Sequence, residues 1–132
     1  MIQVMIVAAY EEVREGLRTV LPLAGSIEIV EIASSLSNAV HQASLGCPDV
    51  ALVDLEMPGG EGYETIRQLK RLCQRTKLIA LTAHDYPAAR ESAIRAGAST
   101  VMVKGLEVPE MVAAIQFSVG AHESQEGRNG ES

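Results

Sequence analysis

The sequence predicts an α/β fold, a (βα)5 chain wound into a parallel sheet with helices on both faces. Three observations support it. Five short apolar runs, mostly rich in Val and Ile as strands buried on both faces are, alternate with five stretches of helical periodicity. Pro, Gly and Ser punctuate the joints between them. The chain's 132 residues suffice for one such core and are too few for two.

The first run, Ile2 to Val7, leads into a helix whose apolar stripe is Val13, Leu17, Val20 and Leu21, closed by Pro22 and Gly25. The second, Ile27 to Ile32, precedes a helix carrying Leu36, Ala39, Val40 and Ala43, with Ser34 or Ser35 as its cap and Gly46 and Pro48 at its end. Val50 to Val53 form the third run, followed by Ile66, Leu69 and Cys73 at helical spacing. Leu78 to Leu81 form the fourth, followed by a helix that Pro87 opens, Ala89, Ala93 and Ala96 line, and Gly97 closes. The fifth, Val101 to Val103, leads to a helix on Val108, Met111, Val112 and Ile115, with Met111 and Ile115 assigned to the core. From Val119 the segment GAHESQEGRNGES is nearly free of apolar residues, so residues 1–118 read as one domain and 119–132 as a flexible tail or the start of a linker.

Composition narrows the function. Seventeen Asp and Glu against 11 Lys and Arg leave a formal charge of −6, which argues against a nucleic-acid or membrane-surface binder. The one basic cluster, Arg67, Lys70, Arg71, Arg75 and Lys77, has no interleaved aromatics and reads as a solvated helix face complementing the macrodipole. MIQVMIVAAY lacks the basic start and long apolar core of a signal peptide, and no run approaches the roughly 20 apolar residues of a membrane span, so a cytoplasmic location is expected. Cys47 and Cys73 have neither the number nor the spacing of a disulfide framework or zinc site, and two buried, reduced thiols are expected.

Right-handed crossovers place a functional site at the carboxyl ends of the strands, which read Val7-Ala8-Ala9, Val53-Asp54, Leu81-Thr82-Ala83 and Val103-Lys104. A charge directly after a buried apolar run is unusual. The ordinary role for Asp54 is a cap, but Thr82 and Lys104 converge on the same edge if the strand order is 2-1-3-4-5. A carboxylate, a hydroxyl and an ammonium suit a phosphoryl group carried on the carboxylate.

On these residues the chain resembles the receiver domain of bacterial two-component response regulators over residues 1 to about 118. The matching segments are VREGLRTVL, PDVALVDLEMPGGEG, LIALTAH and AIRAGASTVMVKG, and their wording is most similar to receivers that head helix-turn-helix transcription regulators. The resemblance implies a flavodoxin-like, CheY-like fold, with Asp54 at the phosphoacceptor position, Thr82 as the switch hydroxyl and Lys104 as the partner lysine.

Four departures qualify it. Where the family carries two adjacent acidic residues that hold Mg2+, this chain has Ala8 and Ala9, so a degenerate acidic pocket with no metal is expected. Glu56, or Glu11 and Glu12, are the carboxylates that could relocate as ligands. Val101 stands where the family carries a switching aromatic ring, and Gly105 where many relatives carry Pro. With Ala8 and Ala9 in place, the pocket balances Asp54 against Lys104, which predicts a direct ion pair.

The leading expectation is therefore a pseudo-receiver, a non-enzymatic regulatory module without cofactor. It would act by homodimerisation or by binding a partner or small-molecule ligand, the vacated Ala8–Ala9 corner offering room for one. Residues 119–132 are too few for a helix-turn-helix, so an output DNA-binding domain would belong to a longer chain, the other case being a stand-alone adaptor. The alternative is a receiver that accepts a phosphoryl group on Asp54 from a histidine kinase, using a relocated metal ligand. A dinucleotide-binding reading fails for want of G-x-G-x-x-G after the first run. A hydrolase reading fails because His41, His84 and His122 accompany no nucleophile motif.

Overall fold

The computed structural model describes residues 1–131, with side-chain surroundings for residues 1–120. Strands β1 (Ile2–Val7), β2 (Ile27–Ala33), β3 (Val50–Asp54), β4 (Lys77–Thr82) and β5 (Thr100–Val103) alternate with helices α1 (Glu11–Val20), α2 (Leu36–Leu45), α3 (Glu61–Leu72), α4 (Pro87–Ala96) and α5 (Val108–Glu131). The strands form one parallel sheet in the order β2-β1-β3-β4-β5, as the sequence predicts.

The period of two along each strand divides the core into two layers. Met5, Val7, Ala51, Val53, Leu78 and Ala80 point to the face covered by α2, α3 and α4. Val4, Ile6, Val50, Leu52, Ile79 and Leu81 point to the face covered by α1 and α5, where Met111 and Ile115 join them as expected. Of the two candidate caps Ser35 is the one used, its hydroxyl accepting from the Asn38 N–H at 3.2 Å. Pro87 opens α4 and Gly97 caps it, whereas Gly25 caps the 3-10 turn Leu21–Ala24 that follows α1 rather than α1 itself, whose C-cap is Leu21.

The loop after β3 is built from glycines. Pro58-Gly59-Gly60 makes a 3-10 turn in which Gly59 (φ 69°) and Gly60 (φ 71°) both occupy the left-handed region. Two residues on, Gly62 lies against the backbone of Asp54 and Leu55, where a Cβ would fall on the Asp54 carbonyl oxygen and within 2.9 Å of the Leu55 Cα. The start of α3 is therefore pressed against the strand end that carries Asp54.

One expectation changes. Cys47 and Cys73 are not free thiols but form a disulfide, and Cys47 is exposed. Each follows the last turn of its helix, α2 or α3, and the packing of these helices side by side brings their Cα atoms to 5.6 Å, within bridging range. No spacing rule in the sequence reveals that approach. Helix α5 runs on past residue 118 to Glu131, across the segment read as a tail or the start of a linker. The side chains beyond Gly120 lie outside the described residues. No helix among the described residues is long and apolar enough to cross a membrane.

Closing a loop between residues 26 apart is worth about 3.5 kcal/mol by chain entropy. Reduction with a thiol reagent should lower the unfolding free energy by about that amount in urea titration, and a Cys47→Ser/Cys73→Ser variant should match the reduced protein and no longer respond to the reagent.

Candidate functional site

The carboxyl ends of β3, β4 and β5 bring Asp54, Thr82 and Lys104 together as the sequence predicts. Asp54 ends β3 with no solvent exposure. Its Oδ1 accepts from the Lys104 ammonium at 2.8 Å and from the Glu56 N–H at 2.8 Å. Its Oδ2 is buried and has no donor among the described residues. The β3–β4 and β4–β5 registers, which pair Asp54 with Leu81 and Thr82 with Val103, set these side chains at one level, and Lys104 follows β5 by one residue.

Glu56 completes the pocket. Its Oε1 accepts from the Ala83 N–H at 2.5 Å and lies 3.3 Å from the Lys104 ammonium, while its Oε2 accepts from the Thr82 hydroxyl at 3.0 Å. Thr82 is held from its other side by His84, whose N–H donates to the hydroxyl at 3.1 Å and whose carbonyl lies 3.0 Å from it. The His84 ring stacks on Tyr86, with centroids 5.8 Å apart. The pocket thus carries two carboxylates against one ammonium, a charge of −1, where the sequence alone suggested one against one. Partial burial works against the charge on Glu56, but the Ala83, Thr82 and Lys104 contacts outweigh it and hold the carboxyl below the usual glutamate range. Burial likewise works against the Lys104 charge, and Asp54 and Glu56 overcome it and raise the ammonium above its ordinary value.

At the end of β1, Ala8 is fully buried and Ala9 partly so. The Arg14 guanidinium of α1 folds back over them, its Nη1 donating to the carbonyls of Ala8 at 2.8 Å and Ala9 at 2.9 Å. The corner vacated by the missing acidic pair thus carries a resident cation. The nearby cavity, about 260 Å³, is lined by Val13, Leu17, Val103, Leu106 and Met111 between α1 and the start of α5, and neither Ala8 nor Ala9 borders it. Val101 is buried against the α2–α4 face, and Gly105 takes φ 92°, a value closed to proline. Glu11 and Glu12 are exposed in the first turn of α1.

Sequence reasoning missed Arg14, the Ala83 N–H and the His84 backbone. The backbone groups carry no side-chain signal. A single Arg on a helix looks like any solvated charge.

This fold, with an acid, a hydroxyl and a lysine at three strand ends, defines a receiver. The chain matches the response regulator receiver domain family over residues 4–116 and belongs to it. It is 35% identical over 116 residues to the response regulator UvrY of Escherichia coli (strain K12), covering 88% of this chain and 53% of that protein. It is 33% identical over 124 residues to the DNA-binding transcriptional activator DevR/DosR of Mycobacterium tuberculosis, covering 94% and 57%. The chain spans about half the length of these curated relatives. Among solved structures it is similar to a LuxR-family two-component response regulator from Aurantimonas sp. SI85-9A1 (TM-score 0.85, 26% identity, 92% of this chain and 86% of that one). It is also similar to the signal receiver domain of the putative response regulator NarL from Mycobacterium tuberculosis (TM-score 0.83, 28% identity, 90% and 96%).

The family's Mg2+ does not fit the residues at this pocket. A hard cation of that size needs one or two carboxylates beside its retained waters. Here Asp54 offers one uncommitted oxygen, Glu56 is spent on Thr82, Ala83 and Lys104, and β1 ends in two alanines beneath a guanidinium. Among the described residues no three of His, Cys, Asp and Glu cluster as metal ligands would.

Because Asp54 is fully buried and Lys104 is 24% exposed, Lys104→Met should cost about 3 kcal/mol in urea unfolding, the lower end of the range for breaking a buried pair. Asp54→Asn combined with it should restore most of that. A single-variant loss below about 1 kcal/mol, the level of an exposed pair, would contradict a buried ion pair.

Proposed function

We propose that this chain works as a pseudo-receiver, a regulatory module that transmits a signal through dimerisation or by binding a partner or ligand, without Mg2+-dependent phosphorylation of Asp54. One observation carries the reading: the strand beside Asp54 ends in Ala8 and Ala9, which offer no carboxylate, and the charged group on Asp54 is the Lys104 ammonium. An incoming phosphodonor is anionic. Without a divalent cation, its approach to a pocket of charge −1 is opposed, and the charge on the transferring group lacks its usual stabilisation.

The relative named a DNA-binding transcriptional activator supports a role in transcription regulation, with a DNA-binding output domain in a longer chain; this reading places the chain in the cytoplasm. Exposed Ile94 of α4 and Phe117 of α5 supply apolar surface for a second copy of the chain. The module needs no cofactor and no enzymatic activity in this reading. The second reading, acceptance of a phosphoryl group on Asp54 from a histidine kinase, draws on the unpartnered Asp54 Oδ2 and on Glu56 as a relocated ligand.

Incubation with a small-molecule phosphodonor and Mg2+, followed by intact-mass measurement, separates the two. The expected spectrum contains only the unmodified mass; a phospho-adduct that disappears in Asp54→Ala would establish the second reading.

A further inference from the structure

The surroundings of Glu56 contain more than a salt bridge. Three donors of different kinds converge on one carboxylate: the Thr82 hydroxyl at 3.0 Å, the Ala83 N–H at 2.5 Å and the Lys104 ammonium at 3.3 Å. They come from the ends of two neighbouring strands, and each would accept any oxyanion as partner. A backbone N–H, a hydroxyl and an ammonium directed at one point form a seat for an anion with several oxygens. Glu56 fills that seat with both of its oxygens. It reaches there from the loop after β3, where its own N–H is anchored to Asp54 Oδ1.

We propose that Glu56 is the resident anion of an oxyanion seat built by Thr82, Ala83 and Lys104, an intramolecular stand-in that ties down the β4–α4 junction when no phosphoryl group is present. The inference rests on the pseudo-receiver reading in that a permanent occupant makes a transferred one unnecessary. The contacts that Glu56 makes would otherwise be open to a tetrahedral oxyanion. Its carboxylate bonds the Thr82 hydroxyl and the N–H of Ala83, the first residue after β4. His84, bonded to the same hydroxyl and stacked on Tyr86, passes that position on to the residue that caps α4. The state of the junction is then set by the side chain at position 56.

Removing the resident should open the seat. Inorganic phosphate, added without metal, is the probe, and the Ala83 and His84 amide resonances are the readout, with chloride at equal ionic strength as control. In the wild-type chain these resonances should not move with phosphate. In Glu56→Ala they should leave their wild-type positions and return toward them in a saturable, phosphate-dependent way. Glu56→Gln changes almost no volume and keeps the test decisive if truncation unfolds the chain. Its amide offers one acceptor oxygen to three donors, so phosphate should displace it where it cannot displace the carboxylate.

Either folded variant responding to phosphate while the wild type does not supports the seat and its occupant. Folded variants no more responsive than the wild type, or a wild type that responds equally, would overturn it. This result is independent of Asp54 phosphorylation. A phospho-adduct on wild-type Asp54 would remove the pseudo-receiver reading while leaving a phosphate-binding Glu56→Ala in place, and silent variants would remove the seat while leaving that reading intact.

Discussion

A carboxylate at the end of a strand covered on both faces has given up its water, and the free energy of that loss must be recovered from the protein. Asp54 recovers it from Lys104 at 2.8 Å, and the rest of the pocket depends on this pair. The fold makes the pairing available. In a parallel sheet every strand delivers its carboxyl end to the same edge, so β3 and β5 present an acid and a lysine on either side of β4. The lysine stem is long enough to pass Thr82. The same Asp54 oxygen also anchors the Glu56 N–H, which starts the loop on a fixed course into the Pro58-Gly59-Gly60 turn and the close contact of Gly62 with the strand end.

From that anchor the electrostatics of the pocket follow. The family's arrangement gathers carboxylates and balances them with a divalent cation. This chain removes two carboxylates at β1, replaces them with Ala8 and Ala9, and sets the Arg14 guanidinium on their carbonyls. The lysine then serves two carboxylates at once. Glu56 is the less buried of them, and its contacts with Ala83 and Thr82 connect the ion pair to the junction leading into α4.

The residues that were legible in the sequence are those whose position follows from local pattern and topology. Val and Ile runs marked the strands, Ser35, Pro87 and Gly97 marked helix ends, and strand order placed Asp54, Thr82 and Lys104 on one edge. The direct Asp54–Lys104 pair followed from counting the charges left after Ala8 and Ala9. The illegible part depends on side-chain direction or on contacts between elements far apart in the chain. Glu56 could have pointed to solvent or to a metal, and only the position of the Ala83 N–H decides that it turns toward β4. Arg14 reaches back along its helix to backbone oxygens that have no sequence signature. Cys47 and Cys73 meet because α2 and α3 pack side by side, a fact of tertiary geometry that no spacing rule contains.

The most direct measurement is the thermal midpoint of the oxidised chain across a Mg2+ titration, against sodium at matched ionic strength. A ligand that binds only the folded state raises stability with the logarithm of its concentration. With Lys104 as the counter-ion of Asp54 and no second carboxylate free to join it, the expected midpoint is the same in both salts. A midpoint that climbs with Mg2+ and loses that climb in Asp54→Asn would contradict a pocket in which Lys104 is the counter-ion of Asp54.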